Sequence, residues 1–482
     1  MEKAEERLPL WMKIIYGSGD FGLSSFNTLR LIFYAIFLTD VVGLDPRLAS
    51  VGTLVGIIWD AINDPIVGLL SDRIKNDRFG KRRSFLAFFS IPFGLSFMIL
   101  WWAPPFESEI LVLAIVTMAF MLTDTLQSLV SVPYFSMTPE LTTDYNERTA
   151  VTGFRMFFNL MGSLIVAILA PTIVKSTMAS GATQQQGYLV VSAMFGAITI
   201  VPFLLIAFFV KEQIDPTDPE VPLPFREVLS TAWENVPFRF AAAIYMLNWL
   251  TFDFIALMLP YFLTYWVADG DLLATTTILG TEIALESLAL GVLLITAVVT
   301  LPLWNFLSKR YGKRHAYIVG LLFWAAVQIG VLWVSKGNMT ATLIIAVLAG
   351  IGASAGHILP DAIFPDVMEW DELRVGHRHE GIYYGVKNFT RKLTGAFAIF
   401  VALQVLGWFG YQAPPEGALV ASQTESTLTV IRVLTGPVGA ALLLSAAVVT
   451  WFYPLTREKH GRIRHLLAKR QARMLRQTSG SD

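Results

Sequence analysis

A chain of 482 residues that is 54% hydrophobic and 15% charged, with a mean hydropathy of +0.57, is far too apolar for a soluble globular protein of this size. The absence of cysteine excludes disulfides and thiol chemistry, and the net charge of −1 hides an asymmetry between loops. The chain reads as an integral membrane protein.

A bilayer-crossing helix needs roughly 20 apolar residues at 1.5 Å rise each. By that measure the sequence predicts about twelve spans: 14–38, 49–71, 84–104, 110–138, 149–174, 187–210, 238–267, 280–307, 316–335, 341–368, 381–408 and 426–454. In the first span Asp20, Ser24 and Asn27 fall at i, i+4 and i+7 on one face. Asp20, Asn27 and Arg30 are unlike the plain apolar core of a cleaved signal peptide, so this helix is expected to stay.

The second span holds Trp59-Asp60-Ala61-Ile62-Asn63-Asp64-Pro65. Unpaired charge inside an apolar span costs about a few kcal/mol or more. Asp60 and Asp64, four apart, project from one helical face with Asn63 beside them. Their oxygens suit a small hard cation, and the pair is expected to bind Na⁺, Li⁺ or H⁺. The competing reading pairs them with basic residues such as Arg155 or Lys392, and both can hold at different stages.

The fourth span repeats the polar stripe with Asp124, Ser128 and Ser131, and Tyr134 follows. Such a stripe is expected to face a water-filled cavity, although serines alone also serve helix packing. Arg155 lies in the fifth span. The polar, proline-rich run 211–237 then divides the chain into halves of about six spans. A repeat crosses it: Phe79-Gly80-Lys81-Arg82-Arg83-Ser84-Phe85 after the second span matches Tyr311-Gly312-Lys313-Arg314-His315-Ala316-Tyr317 after the eighth.

In the second half, Lys387, Arg391 and Lys392 bring three cations to one span, either to face acidic partners, to snorkel to the interface, or to meet an anionic substrate. Trp59, Tyr134, Tyr245, Trp249, Tyr383 and Tyr384 are candidates for stacking a sugar ring, against a default role as interface anchors. Gly352-Ala-Ser354-Ala-Gly356, followed by His357, matches a nucleophile elbow but lacks its strand-to-helix turn, so helix packing is expected and an enzyme is not. His377 and His379 are too few for a metal site.

Arg47, Lys175 and Lys336 are the only basic residues on odd-numbered loops, whereas about 27 of the 36 Lys and Arg sit on even-numbered loops and termini. Both termini are therefore expected in the cytoplasm. The basic tail from Arg457 to Arg476 reads as an anchor on anionic headgroups, and no nucleic-acid role is read from it.

Gly68-Leu-Leu-Ser-Asp72-Arg73 with the Gly80–Arg83 run resembles the loop signature of the major facilitator superfamily. With Tyr16-Gly17-Ser-Gly19, the Trp59–Pro65 segment and Arg148-Thr-Ala-Val-Thr-Gly-Phe-Arg155, the chain is similar to the glycoside-pentoside-hexuronide cation symporters, the melibiose-permease group. The resemblance implies an all-α major facilitator fold of two pseudo-symmetric six-helix bundles, 1–210 and 238–455, with a linker 211–237 and a tail 456–482. It implies that Asp60, Asn63, Asp64 and Ser128 bind the coupling cation, and that Lys392 is a charge partner or substitute cation. The melibiose-type permeases hold their galactoside with aspartates that align with Ser24 and Ser131 here, which speaks against α-galactoside recognition.

The expected protein is therefore a cation-coupled symporter of a sugar, glycoside or uronide in the cell inner membrane, working by alternating access. It needs Na⁺ (or H⁺ or Li⁺), no organic cofactor and no obligate protein partner. Asp20, Ser24, Asn27, Asp124, Ser131, Tyr134, Arg155, Trp249 and Lys392 are its expected substrate residues, and Asp72, Arg73, Arg82 and Arg83 its gate. The alternative is a lysolipid or other amphipathic-anion transporter of the same fold.

Overall fold

The computed structural model describes residues 8–73, 80, 82–142, 145–210, 232–270, 275–278, 281–375, 380–414 and 421–478. The helices are α1 (Leu10–Ile36), α2 (Pro46–Arg73), α3 (Arg83–Leu100), α4 (Glu109–Leu141), α5 (Tyr145–Ala179), α6 (Gln184–Phe209), α7 (Val236–Phe262), α8 (Leu285–Tyr311), α9 (Lys313–Gly330), α10 (Met339–Val375), α11 (Glu380–Trp408), α12 (Glu425–Thr435), α13 (Pro437–Trp451) and α14 (Arg457–Thr478). Among the described residues, eleven helical stretches are long and apolar enough to cross a membrane. The second expected span, α2, has 28 residues and is not among them, because Asp60, Asn63 and Asp64 dilute its apolar core.

Two compact units, each discontinuous in sequence, divide the chain: residues 1–220, 256–291 and 399–431 form one, and 221–255, 292–398 and 432–482 the other. In the first, α1 packs on α5 and α6, α2 and α3 on α4, and α3 on α6. In the second, α9 packs on α10 and α13, and α10 on α14. Small residues allow a close crossing of α3 and α6: a Cβ at Gly196 of α6 would lie 2.3 Å from the Gly94 carbonyl oxygen of α3, an approach only glycine allows. Gly196→Val is expected to lower stability by about 1–3 kcal/mol or more through overpacking, read as a lower melting temperature in detergent; an unchanged melt contradicts the close crossing.

Three features depart from the expected spans. The eighth begins not at 280 but after a hairpin of β1 (Thr275–Ile278) and β2 (Thr281–Ala284), antiparallel with Thr275 opposite Ala284, where β-branched threonines favour extended backbone. The twelfth is cut at Gly436, where a Cβ would sit 2.5 Å from the Gln328 carbonyl oxygen; the helix restarts with Pro437 at its first turn. The basic tail is helical, and Ile463 and Leu467 of α14 join the apolar core of the second unit.

A repeat that the sequence analysis missed joins the first and seventh spans. Phe37-Leu38-Thr39 and Phe262-Leu263-Thr264 each enter a five-residue π-helical turn, Phe37–Val41 after α1 and Leu263–Val267 after α7. Each turn is closed by the same pattern, with the Val42 N–H donating to Phe37 O at 3.0 Å and the Ala268 N–H to Leu263 O at 2.8 Å. A left-handed residue follows in both, Gly43 (φ 79°) and Asp269 (φ 48°). Such turns recur at functional sites.

Candidate cation site and charged clusters

The α2 and α4 faces meet at the expected cation residues. Ser128 Oγ donates to Asp64 Oδ1 at 2.5 Å, and Trp59 Nε1 donates to Thr125 Oγ1 at 2.9 Å on the same seam. Asn63 is 5% exposed and its Nδ2 has no hydrogen-bond partner among the described residues. Arg30 Nη1 of α1 pairs with Asp124 Oδ1 at 2.8 Å. The other oxygen, Asp124 Oδ2, is buried without a hydrogen-bond donor, and Asp60 is the carboxylate that neighbours Asp124. Two neighbouring carboxylates call for a shared proton or cation. The donors here are carboxylate, hydroxyl and amide groups, a set that fits a hard monovalent cation better than a soft one. Asp124, expected at the substrate, thus sits beside Asp60.

Asp20, Tyr134 and Arg155 come together, but in a network closed on itself. Arg155 Nε pairs with Asp20 Oδ2 at 2.6 Å, and Tyr134 Oη donates to the same oxygen at 2.8 Å. Arg155 Nη1 donates to Thr138 Oγ1 at 2.9 Å, and its guanidinium lies over Phe135, 4.9 Å from the ring centre. Tyr134 is 0% and Asp20 3% exposed. This burial ties α1, α4 and α5 together and leaves the Tyr134 ring no face for a sugar.

Ser24 donates to Phe21 O within its own helix at 3.1 Å and lies against Gly162 of α5, where a Cβ would meet Ser24 Oγ at 2.3 Å. It is a helix-packing serine. Ser131 is buried too. Asn27 is exposed and accepts a hydrogen bond from Gln127 Nε2 at 3.1 Å; Gln127 was not anticipated.

In the second unit Arg391 and Lys387 have acidic partners that the sequence reading did not name. Arg391 Nη1 and Nη2 donate to Asp253 Oδ2 and Oδ1 at 2.6 and 2.8 Å. Its guanidinium carbon lies 4.3 Å from the Trp249 ring centre, so a cation covers a face of the indole expected to stack a sugar. Lys387 Nζ meets Asp361 Oδ1 at 2.5 Å. Lys392 lies half-buried on α11. Tyr383 is fully buried and accepts a hydrogen bond from Asn235 Nδ2, a core position; the Tyr384 side chain lies outside the described residues. Asp253 is an acid in mid-span, and the cost of intramembrane charge was signal enough to find it.

Within the first unit the end of α1 away from the N-terminus carries a further cluster. Asp40 Oδ2 accepts from Tyr265 Oη at 2.5 Å, and Asp40 Oδ1 from Tyr411 Oη and from Thr39 Oγ1. Thr39 Oγ1 and Tyr261 Oη are 2.9 Å apart. Burial first, and then the Asp40 charge, push the Tyr411 phenol far above its ordinary range, so it stays a proton donor. Next to this cluster Thr264 Oγ1 donates to Glu286 Oε1 at 2.8 Å, and Lys175 Nζ lies 3.8 Å from Glu286. Lys175 was expected on a loop; it is inside α5, 6% exposed, lining a cavity of about 30 Å³ with Thr264, Tyr188 and Glu286.

Arg83 Nε donates to Ala207 O at 2.8 Å and its Nη2 to Phe208 O at 3.3 Å, covering carbonyls at the C-terminus of α6 as a cation does favourably. Arg82 is buried, with Nη1 3.5 Å from Ser71 Oγ. The side chains of Asp72 and Arg73, and His377 and His379, lie outside the described residues. Ser354 and His357 do not meet as a catalytic pair: Ser354 Oγ bonds Ile351 O and Thr300 Oγ1, while His357 packs on Phe252, ring centres 4.4 Å apart.

Helical spans with paired intramembrane charges define a polytopic membrane transporter. The chain belongs to the MFS/sugar transport protein family, whose pattern matches residues 15–457. It is 29% identical to the uncharacterized symporter sll1374 of Synechocystis sp. over 97% of this chain and 98% of that one. It is 25% identical to the sodium-dependent lysophosphatidylcholine symporter 1 of Gallus gallus over 95% and 89%, and 28% to the uncharacterized symporter YjmB of Bacillus subtilis over 96% of each. Among solved structures it resembles the nucleoside transporter NupG (TM-score 0.60, 13% identity, 91% of this chain and 99% of that one). It also resembles the xylose transporter XylE of E. coli (TM-score 0.59, 11% identity, 93% and 98%). The fold is that of the major facilitator superfamily.

Proposed function

We propose that the protein is a symporter in which a monovalent cation held by Asp60, Asn63, Asp64 and Ser128 is coupled to uptake of a small organic substrate. The observation that carries this is the α2–α4 seam: the Ser128 hydroxyl on Asp64 and the donorless oxygen of Asp124, whose carboxylate neighbours Asp60. Na⁺ is the favoured ion, since several relatives are sodium-dependent symporters by name. Coupling is then reciprocal: the cation raises affinity for substrate and substrate raises affinity for the cation.

A sugar, glycoside or uronide is the first reading of the substrate, resting on the resemblance to the melibiose-permease group. A lysolipid or other amphipathic anion is the second, favoured by the lysophosphatidylcholine symporters among the relatives and by the cation lying over Trp249. Uptake into proteoliposomes along an inward Na⁺ gradient, with labelled glucose, glucuronate and lysophosphatidylcholine, tests both. Na⁺-stimulated uptake of one class names the substrate; equal uptake in Na⁺ and K⁺ sinks the coupling.

Alternating access needs seals that break. We assign one to the Asp40, Tyr265 and Tyr411 cluster, with Arg82 and Arg83, and Asp72 and Arg73, serving the cytoplasmic side of an inner membrane in which both termini face the cytoplasm. The chain has no cysteine, so Met178→Cys, lining the nearby cavity, gives a clean reporter. Its maleimide labelling is expected to rise about tenfold when Asp40→Asn weakens the seal by about 1.4 kcal/mol; an unchanged rate removes Asp40 from the gate.

A further inference from the structure

Three helices of the second unit bring side chains one turn apart against one another. Tyr245, Trp249 and Asp253 step along α7, His357 and Asp361 along α10, and Lys387 and Arg391 along α11. At one level Lys387 meets Asp361 at 2.5 Å and lies 4.9 Å from the Tyr245 ring centre. At the next, Arg391 lies 4.3 Å from the Trp249 ring centre, and the His357 ring is 5.7 Å from that indole. Beyond, Asp253 is 0% exposed and grips Arg391 with both oxygens. His357 and Asp361 are exposed in mid-helix, and such groups face a hydrated cleft rather than lipid.

We propose that this cleft receives an oxyanionic group of the transported substrate, carboxylate or phosphate, with Arg391 as the receiving guanidinium, Trp249 as its platform and Asp253 as its positioning residue. A guanidinium carries five N–H donors; Asp253 takes two from the sealed side, and the Arg391 side chain is 28% exposed on the other. The planar fork that remains matches a carboxylate or phosphate. Lys387 adds a second cation one turn away. Its partner Asp361 is 49% exposed, and pairs so open to water are weak, so an incoming anion displaces that carboxylate at little cost. A neutral sugar gains less here, because the guanidinium covers a face of the aromatic ring it would stack on.

The inference rests on the symporter reading and narrows its substrate to an organic anion. Thermal shifts of the purified protein at constant ionic strength, with glucose, glucuronate and glycerophosphocholine as probes, test it. Glucuronate or glycerophosphocholine is expected to raise the melting temperature and glucose to leave it unchanged. Which of the two responds tells a sugar carboxylate from a phosphodiester headgroup. Arg391→Lys is expected to weaken the anion response at least tenfold. Arg391→Gln with Asp253→Asn, which removes both charges of the pair together and so strands no buried carboxylate, is expected to abolish it. Equal stabilisation by glucose and glucuronate, no response to either anion, or a full anion response in the double variant each overturns the inference. The shift caused by Na⁺ alone, measured in the same samples, reads the cation site separately, so a failed coupling and a failed anion site give different patterns.

Discussion

Asp64→Asn is expected to abolish cation-driven uptake while leaving the protein folded. The substitution keeps the volume of the side chain and lets the Ser128 hydroxyl keep an acceptor in place of Asp64 Oδ1 at 2.5 Å, so packing on the α2–α4 seam survives. What disappears is one of two carboxylate charges on one helical face. A hard cation held largely by charge loses most of its binding with it, on the order of a hundredfold or about 2.7 kcal/mol. Asp60→Asn is expected to act in the same direction and also to relieve its contact with Asp124. Uptake that keeps its Na⁺ stimulation in both variants contradicts the site. Ser128→Ala, which removes a neutral donor, is expected to weaken the cation response by roughly tenfold or less, in line with the ~0.5–1.5 kcal/mol net contribution of a hydrogen bond.

Asp20→Ala and Arg155→Ala are each expected to cost about 3–5 kcal/mol of stability, because each strands a charge that its partner neutralised in a buried setting. Asp20 loses the 2.6 Å pair and Arg155 the acid over which the Tyr134 hydroxyl also closes. The double variant is expected to cost clearly less than the sum of the two, since no buried charge is left alone. Unfolding midpoints of the four proteins in one detergent measure this coupling. Additive losses, or single variants with wild-type stability and altered substrate affinity, contradict a framework role and return Asp20 and Arg155 to the substrate site.

The helical organisation was legible because apolar length and loop charge are local properties of the sequence. The polar stripes on α1, α2 and α4 were visible for the same reason, from spacing alone. What spacing does not carry is which neighbouring helix each stripe meets. Asp20, Ser24 and Asn27 share a face on paper, yet Asp20 closes on Arg155, Ser24 presses on Gly162, and Asn27 reaches Gln127. Arg391 looked equally suited to snorkelling or to substrate because Asp253, 138 residues away in sequence, decides its position. Lys175 was counted as a loop charge by its place near a span end, but a partner supplied by another helix, Glu286, keeps it inside. The two π turns were missed because nothing in Phe-Leu-Thr alone distinguishes an i−5 bond from an ordinary helical one.

The central claim is that a cation binds at Asp60 and Asp64. Equilibrium binding of ²²Na⁺ to the purified protein, with and without the Asp64→Asn substitution and with unlabelled Na⁺, Li⁺ and K⁺ as competitors, tests it most directly. Saturable binding displaced by Na⁺ and Li⁺ but not by K⁺, and absent in the variant, is the predicted result. Binding that survives Asp64→Asn, or no saturable Na⁺ binding to the wild-type protein, contradicts it.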